Sequence, residues 1–126
     1  RNIYFENKVK NKSKIIGDFN RLIQALLCVL DNSIKFSPAE KPVSFCLINK
    51  TSFFAFEVVD LGEGIAKEDL KRVFERFYHP VNNNQEGMGL GLFLAKEITE
   101  HHHGTIRISS KLKKGTKVTI SLPSLK

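Results

Sequence analysis

Apolar positions recur at two different periods along this chain, and the changes of period mark out its elements. After Asp18, residues Phe19, Leu22, Ile23, Leu26, Leu27, Leu30 and Ile34 return at helical spacing. Asp18 is suited to accept hydrogen bonds from the first helical amides, and Ser37-Pro38 predicts an end near Phe36. Val43 to Ile48 and Phe53 to Val59 are rich in β-branched and aromatic residues around Asn49-Lys50-Thr51-Ser52, which predicts a hairpin. Ala66 to Phe74 sets Glu68, Asp69, Lys71 and Arg72 against Leu70, Val73 and Phe74, as a short amphipathic helix requires. Leu90 to about His103 predicts another helix, with Gly104 as its C-terminal cap. Thr105 to Ser110 and Thr116 to Leu122 form a closing hairpin across Lys113-Lys114-Gly115. A short strand over Asn2 to Asn7 opens the chain, followed by a basic, turn-like stretch to Gly17. His79 to Glu86 has no periodicity and three consecutive asparagines, so it reads as a mobile loop.

The resulting order is strand, helix, two strands, two helices, two strands. Two hairpins and three helices predict an α+β two-layer sandwich, one mixed five-stranded sheet with its helices on one face. With 126 residues, 41% of them hydrophobic and ten of them phenylalanine, the chain has material for one core and is expected to be a single domain over residues 1–126. Its longest apolar run, Leu26 to Leu30, is too short to cross a bilayer. It opens at Arg1 without a methionine, as a fragment of a longer protein does.

The formal charge of +7 is unevenly spread. Residues 1–17 carry +4, residues 107–126 carry +6, and the segment between them carries −3. Basic ends of this kind serve a nucleic-acid surface or protect strand edges from pairing with other chains. The chain lacks interleaved aromatic and basic residues and any nucleic-acid motif, so a nucleic-acid partner is not expected. Cys28 and Cys46 lie in apolar stretches without metal-ligand spacing, as buried thiols of a cytosolic domain do. His101-His102-His103 cannot converge on one ion, because neighbouring helical residues splay by about 100°. They read as a helix end where the dipole favours cations.

Three constellations carry candidate chemistry. On the first long helix, Gln24, Asp31, Asn32 and Lys35 fall within roughly 60° of Cys28, with the apolar set on the far side. That stripe is either a wet outer face or a site in which Asn32 offers a carbonyl oxygen to a metal and Lys35 an ammonium to a phosphate. Asp60-Leu61-Gly62-Glu63-Gly64-Ile65 follows a strand. Its glycines let the backbone bend close to a flat ligand, and its aspartate suits an amino-group donor; a plain turn is the alternative. Gly87-Met88-Gly89-Leu90-Gly91-Leu92 opens a helix, where bare amides and the helix dipole favour an anion.

In this order and at these spacings, the three segments resemble the asparagine box and the two glycine boxes of histidine kinase catalytic domains. Val73-Phe74-Glu75-Arg76-Phe77-Tyr78 resembles the phenylalanine box that lies between those glycine boxes. The flanks agree: Asp18 to Gln24 resembles the entry to the first helix, Glu100, His102 and Gly104-Thr105-Ile106 the closing turn, and Lys114-Gly115-Thr116 the final hairpin. The match runs over about residues 15 to 123.

The resemblance implies the Bergerat fold and ATP with Mg2+ as ligands. It implies that Asn32 coordinates Mg2+, that Lys35 contacts a phosphate and that Phe36 lines the adenine pocket. Asp60 would accept from the adenine amino group, with Thr116 assisting through a water and Gly62, Gly64 and Ile65 shaping the floor. Phe74, Phe77 and Tyr78 would anchor a lid, and Gly87, Gly89, Leu90, Gly91 and Leu92 would wrap the phosphates. The implied partners are the protein's own dimerisation and phosphoacceptor domain, which lies outside this sequence, and a response regulator. The parent would be a homodimer anchored in the membrane, with this domain in the cytoplasm. The chain departs from the pattern at Cys28, where the kinases commonly have asparagine, at Met88 and at His79. A thiol is a poor ligand for a hard cation, which leaves a non-catalytic nucleotide-sensing module as the alternative reading.

Overall fold

The computed structural model describes residues 3–10, 14–76, 78 and 91–124. Five strands, β1 (Ile3–Lys8), β2 (Val43–Asn49), β3 (Phe53–Asp60), β4 (Thr105–Lys111) and β5 (Gly115–Pro123), form one sheet in the order β1-β2-β3-β5-β4. β1 runs parallel to β2 and every other pairing is antiparallel. The helices are α1 (Phe19–Phe36), α2 (Lys67–Leu70) and α3 (Gly91–His101). This is the α+β sandwich that the element order predicts.

Strand periodicity assigns the two faces. Val43, Phe56, Val58, Val118, Ile120 and Leu122 are buried and belong to one core with Ala25, Val29, Leu92, Ala95 and Ile98 of the helices. Successive strand residues point to opposite sides, so Glu57 and Lys117 lie on the other face, where they pair at 3.3 Å.

The Asp18 carboxylate caps α1 as its sequence position predicts, accepting the Arg21 amide at 3.1 Å. The buried arc of α1, however, is turned away from the centre of its apolar stripe. Ala25, Val29 and Ser33 are buried, whereas Phe19, Ile23 and Leu27 are exposed. α3 packs alongside α1, with Gly91 against the Cys28 carbonyl, so the buried arc lies on the Cys28 side of the apolar stripe. The stripe read from the sequence is wider than the core that covers it.

Two further expectations change. The helix expected over Ala66 to Phe74 is helical only from Lys67 to Leu70. Beyond it, Arg72, Glu75 and Tyr78 donate their amides to Asp69, Arg72 and Glu75, a three-residue spacing that winds the chain in tight turns. α3 ends in a Schellman motif: the Gly104 amide reaches Thr99 O and the His103 amide reaches Glu100 O. The left-handed residue is therefore His103, at φ 63°, and not Gly104. Gly104 is required for a different reason, since a Cβ there would lie 2.3 Å from the Ser121 carbonyl oxygen.

His102 likewise serves in another way than as a cation at a helix end. Its Nε2 accepts the Asp18 amide at 3.0 Å, and its Nδ1 lies 2.8 Å from the Ile98 carbonyl. Only the neutral ring with its proton on Nδ1 satisfies both contacts. The imidazole thus ties the C-terminal end of α3 to the start of α1.

Candidate functional site

The sheet register sets polar residues in a row across its helix-covered face. Asp60, the last residue of β3, lies directly opposite Thr116 of β5, and Thr116 lies opposite Ser110 of β4. Directly opposed side chains on neighbouring strands are in reach of one another. Asp60 is 4% exposed and Thr116 9%, so this is a buried polar row at the end of an apolar sheet. Burial of such groups is tolerated only when they find partners. The Gly62 amide donates to Asp60 Oδ1 at 2.9 Å. Ser110 Oγ accepts the Ile65 amide, donates to the Gly115 carbonyl and contacts Thr116 Oγ1, each at 2.8 Å.

The turn after β3 is pressed between two other segments. A Cβ on Gly62 would lie 2.5 Å from the Phe36 carbonyl oxygen at the end of α1. Gly64 has φ +76°, and a Cβ there would lie 2.1 Å from the Lys111 carbonyl oxygen. The Lys113 amide also donates to the Glu63 carbonyl at 2.7 Å. Both glycines are therefore needed for the approach of the protein's own backbone. Phe36 and Ile65, half-buried on either side of this turn, are brought to the same end of the molecule as Asp60.

The second cluster lies where α1 passes the start of α3. The Cys28 carbonyl oxygen is 3.8 Å from the point a Cβ on Gly91 would occupy. Cys28 and Asn32, one turn apart, are half-buried at the border between core and solvent. Burial raises the Cys28 thiol above its ordinary pKa, Asp31 adds to the rise, and Lys35 opposes it. Lys35 is exposed and paired with Asp31 at 3.1 Å. Leu92 on the first turn of α3 is buried in the core. Of the remaining candidates, Gly87, Gly89 and Leu90 lie outside the described residues, as do Phe77, Met88 and the stretch from His79 to Glu86.

Tyr78 packs against the core from the far end of the α2 segment. Its hydroxyl donates to Asp69, and Arg72 stands 4.6 Å above its ring. The hydrogen bond to the Asp69 carboxylate holds the phenol above its usual pKa. Nearby, Lys96 stands 5.7 Å above the Phe74 ring and Arg76 4.8 Å above Phe93, so cations cover the aromatic residues of this corner.

The family model of the histidine kinase-, DNA gyrase B-, and HSP90-like ATPases matches residues 17–126. The chain belongs to that family. It is 37% identical over 115 residues to the sensor-like histidine kinase SenX3 of Mycobacterium bovis, and 37% identical over 110 residues to the sensor protein SrrB of Staphylococcus aureus. These alignments cover 89% and 84% of this chain but only 28% and 19% of the relatives, so the chain spans about a quarter of their length. Among solved structures it is similar to the mycobacterial sensor histidine kinase MprB, with TM-score 0.85, 33% identity, and coverage of 97% of this chain and 84% of that one. Full-length ShkA, solved in complex with AMPPNP, aligns with TM-score 0.82 at 26% identity over 98% of this chain and 26% of its own.

Within this family member, the first glycine turn, the end of α1 and the β4–β5 hairpin are joined by the contacts just described. On the helical side, Gly91 lies against the Cys28 carbonyl, one turn before Asn32 on α1. Ser110 is the residue that motif reading missed. Its signal was present, because Ile106, Ile108 and Ser110 alternate along β4 and put Ser110 on the inner face. Only the strand register shows that it meets Thr116.

Proposed function

We propose that this domain binds ATP between the first glycine turn and the starts of β5 and α3, and transfers its γ-phosphate to a histidine of an upstream dimerisation domain. The observation that carries this reading is the buried Asp60 carboxylate beside the Gly62 turn, an acceptor built for an amino group. Thr116 stands opposite it, and Phe36, Gly64 and Ile65 bound the same end of the sheet. Asn32, Lys35, Gly91 and Leu92 mark the phosphate end. Gly87, Gly89 and Leu90 complete that end by their place in the sequence.

Mg2+ fits this donor set. It keeps several waters and binds through few protein oxygens plus substrate phosphates, so the single carboxamide of Asn32 is an appropriate ligand. No cluster of three or more acidic, histidine or cysteine side chains stands ready for a metal among the described residues. The ion would supply charge neutralisation on the phosphates. The chain's own residues bind and orient: Asp60 holds the base, Asn32 and Lys35 face the phosphate side, and the start of α3 offers amides to the anion. In the reaction the acceptor imidazole nitrogen forms a bond to the γ-phosphorus, the bond to the β–γ bridging oxygen breaks, and ADP leaves. The phosphohistidine then serves a response regulator. We place the domain in the cytoplasm of a dimeric, membrane-anchored sensor.

The test is thermal unfolding with nucleotides, since a ligand that binds only the folded chain raises its Tm. Mg-ATP should raise Tm and GTP at equal concentration should not; equal shifts would defeat the adenine assignment. Phosphotransfer to the parent's own acceptor helix separates the kinase from a nucleotide-sensing module, the reading that Cys28 in the asparagine box favours.

A further inference from the structure

We propose that the β4–β5 turn and the first glycine turn together dock on an anionic lipid surface. Leu112 and Leu61 enter the interface, and Lys111, Lys113 and Lys114 meet the headgroups. The proposal does not depend on what binds at Asp60.

Residues 107–126 hold six basic groups and no acidic one, and three of the six fall in the turn Lys111-Leu112-Lys113-Lys114. All three lysines are exposed, and none forms an ion pair among the described residues. Between them Leu112 is 61% exposed, and Leu61 on the adjoining turn is 46% exposed. The two turns are bound to each other through their backbones. The Lys113 amide donates to the Glu63 carbonyl at 2.7 Å. A Cβ on Gly64 would lie 3.0 Å from Leu112 Cα, and one on Gly115 would lie 2.9 Å from Leu61 Cα. The Lys114 amide closes the β4–β5 turn on the Lys111 carbonyl at 3.0 Å. Both leucines are thus presented on one fixed tip. Across residues 61–65 and 111–115 the charges are Glu63 and the three lysines, a net +2.

A single exposed leucine is ordinary on a protein surface. Two of them on adjoining turns, set among unpaired lysines, match the chemistry of a bilayer interface. Apolar side chains reach the acyl boundary there, while anionic headgroups attract the cations. Two short turns offer less area than a stable protein interface buries, whereas a bilayer needs only the side chains to enter it. A nucleic acid would use the lysines and leave both leucines in water. Phe19, Ile23 and Leu27 of α1 are exposed as well, but their polar neighbours are Asn20, Gln24 and Asp31, which offer an anionic surface nothing to bind.

The test is cosedimentation of the 126-residue chain with vesicles of phosphatidylcholine, alone or mixed in equal parts with phosphatidylglycerol. The mixed vesicles should bind the chain and the neutral ones should not, and added salt should release it. Leu112→Ser and Lys114→Glu should each weaken binding by about tenfold. Lys50→Glu makes the same charge change in the β2–β3 turn, at the opposite end of the sheet from Asp60. The seven residues of β2 separate the two ends by roughly 20 Å, about two Debye lengths, so Lys50→Glu should weaken binding by less than about twofold. The chain has no tryptophan, so Leu112→Trp gives a single reporter, whose emission should move to shorter wavelength with mixed vesicles. Equal losses in Lys114→Glu and Lys50→Glu would overturn the proposal, leaving attraction by overall charge. Emission that stays unshifted in the sedimented chain would overturn the insertion of Leu112. Tighter binding to duplex DNA than to mixed vesicles, unchanged by Leu112→Ser, would overturn the lipid surface in favour of a nucleic acid.

Discussion

The two ends of the candidate site are built in opposite ways. At the Asp60 end, the polar groups sit on adjacent strands, are buried, and are held by backbone amides and one another. At the Asn32 end, they sit on the border of one helix, are half-buried or exposed, and the charged pair Lys35 and Asp31 is satisfied internally. A sheet register cannot shift without moving every side chain in it, so the first end is rigid before any ligand arrives. Under the proposed function, Lys35 at the second end exchanges Asp31 for a phosphate. Preorganisation favours selectivity at the first, and charge exchange favours adjustment at the second.

Breaking the rigid end should have the largest effect. Asp60→Ala removes a charged acceptor and should weaken ATP binding by about 1.5–3 kcal/mol, read by calorimetry on a variant shown to be folded. Wild-type affinity would remove the distinction between the two ends. Gly64→Ala tests the same end through the fold. A side chain at φ +76° that also meets the Lys111 carbonyl should lower stability by roughly 1–3 kcal/mol in denaturant unfolding without nucleotide. An unchanged midpoint would mean that the turn adapts and is not rigid.

At the adjustable end, Cys28→Asn is expected to keep the fold, because the side chain is only half-buried. It should strengthen Mg2+-dependent ATP binding by roughly 0.5–1.5 kcal/mol, the net value of one hydrogen bond, with less effect on ADP without metal. A lowered Tm with no gain in binding would place Cys28 with the core. Lys35→Ala should change apo stability by less than about 1 kcal/mol, as an exposed ion pair permits, while reducing ATP affinity in a salt-dependent manner. The smallest effect concerns the Cys28 thiol itself, whose raised pKa keeps it protonated as pH rises. In a Cys46→Ser background, alkylation at pH 8 should be slower in the folded chain than in urea; equal rates would show an open thiol.

Most elements were legible because each has a local cause. The Asp18 cap, the Ser37-Pro38 stop and the two β-rich hairpins lie within a residue or two of the observed bounds. The α2 segment was overextended because its apolar spacing also suits successive three-residue turns, and local periodicity does not distinguish them. The buried arc of α1 was misplaced because its apolar stripe runs past the area that α3 and the sheet cover.

What the sequence determined by itself was the order of elements and the presence of the chemical groups. Caps, breakers, glycines and period-two strands act on neighbouring residues, and the asparagine, glycine and phenylalanine boxes are read along the chain. Tertiary structure decided which groups meet. Ser110 and Thr116 are brought together by the β4–β5 register, Asp60 and Thr116 by β3 beside β5, and Asp18 and His102 by α1 beside α3. Those pairings join residues on different elements, and no local preference encodes them. They follow from burying one apolar face of the sheet beneath the helices, which leaves a single register in which the inward polar groups find partners.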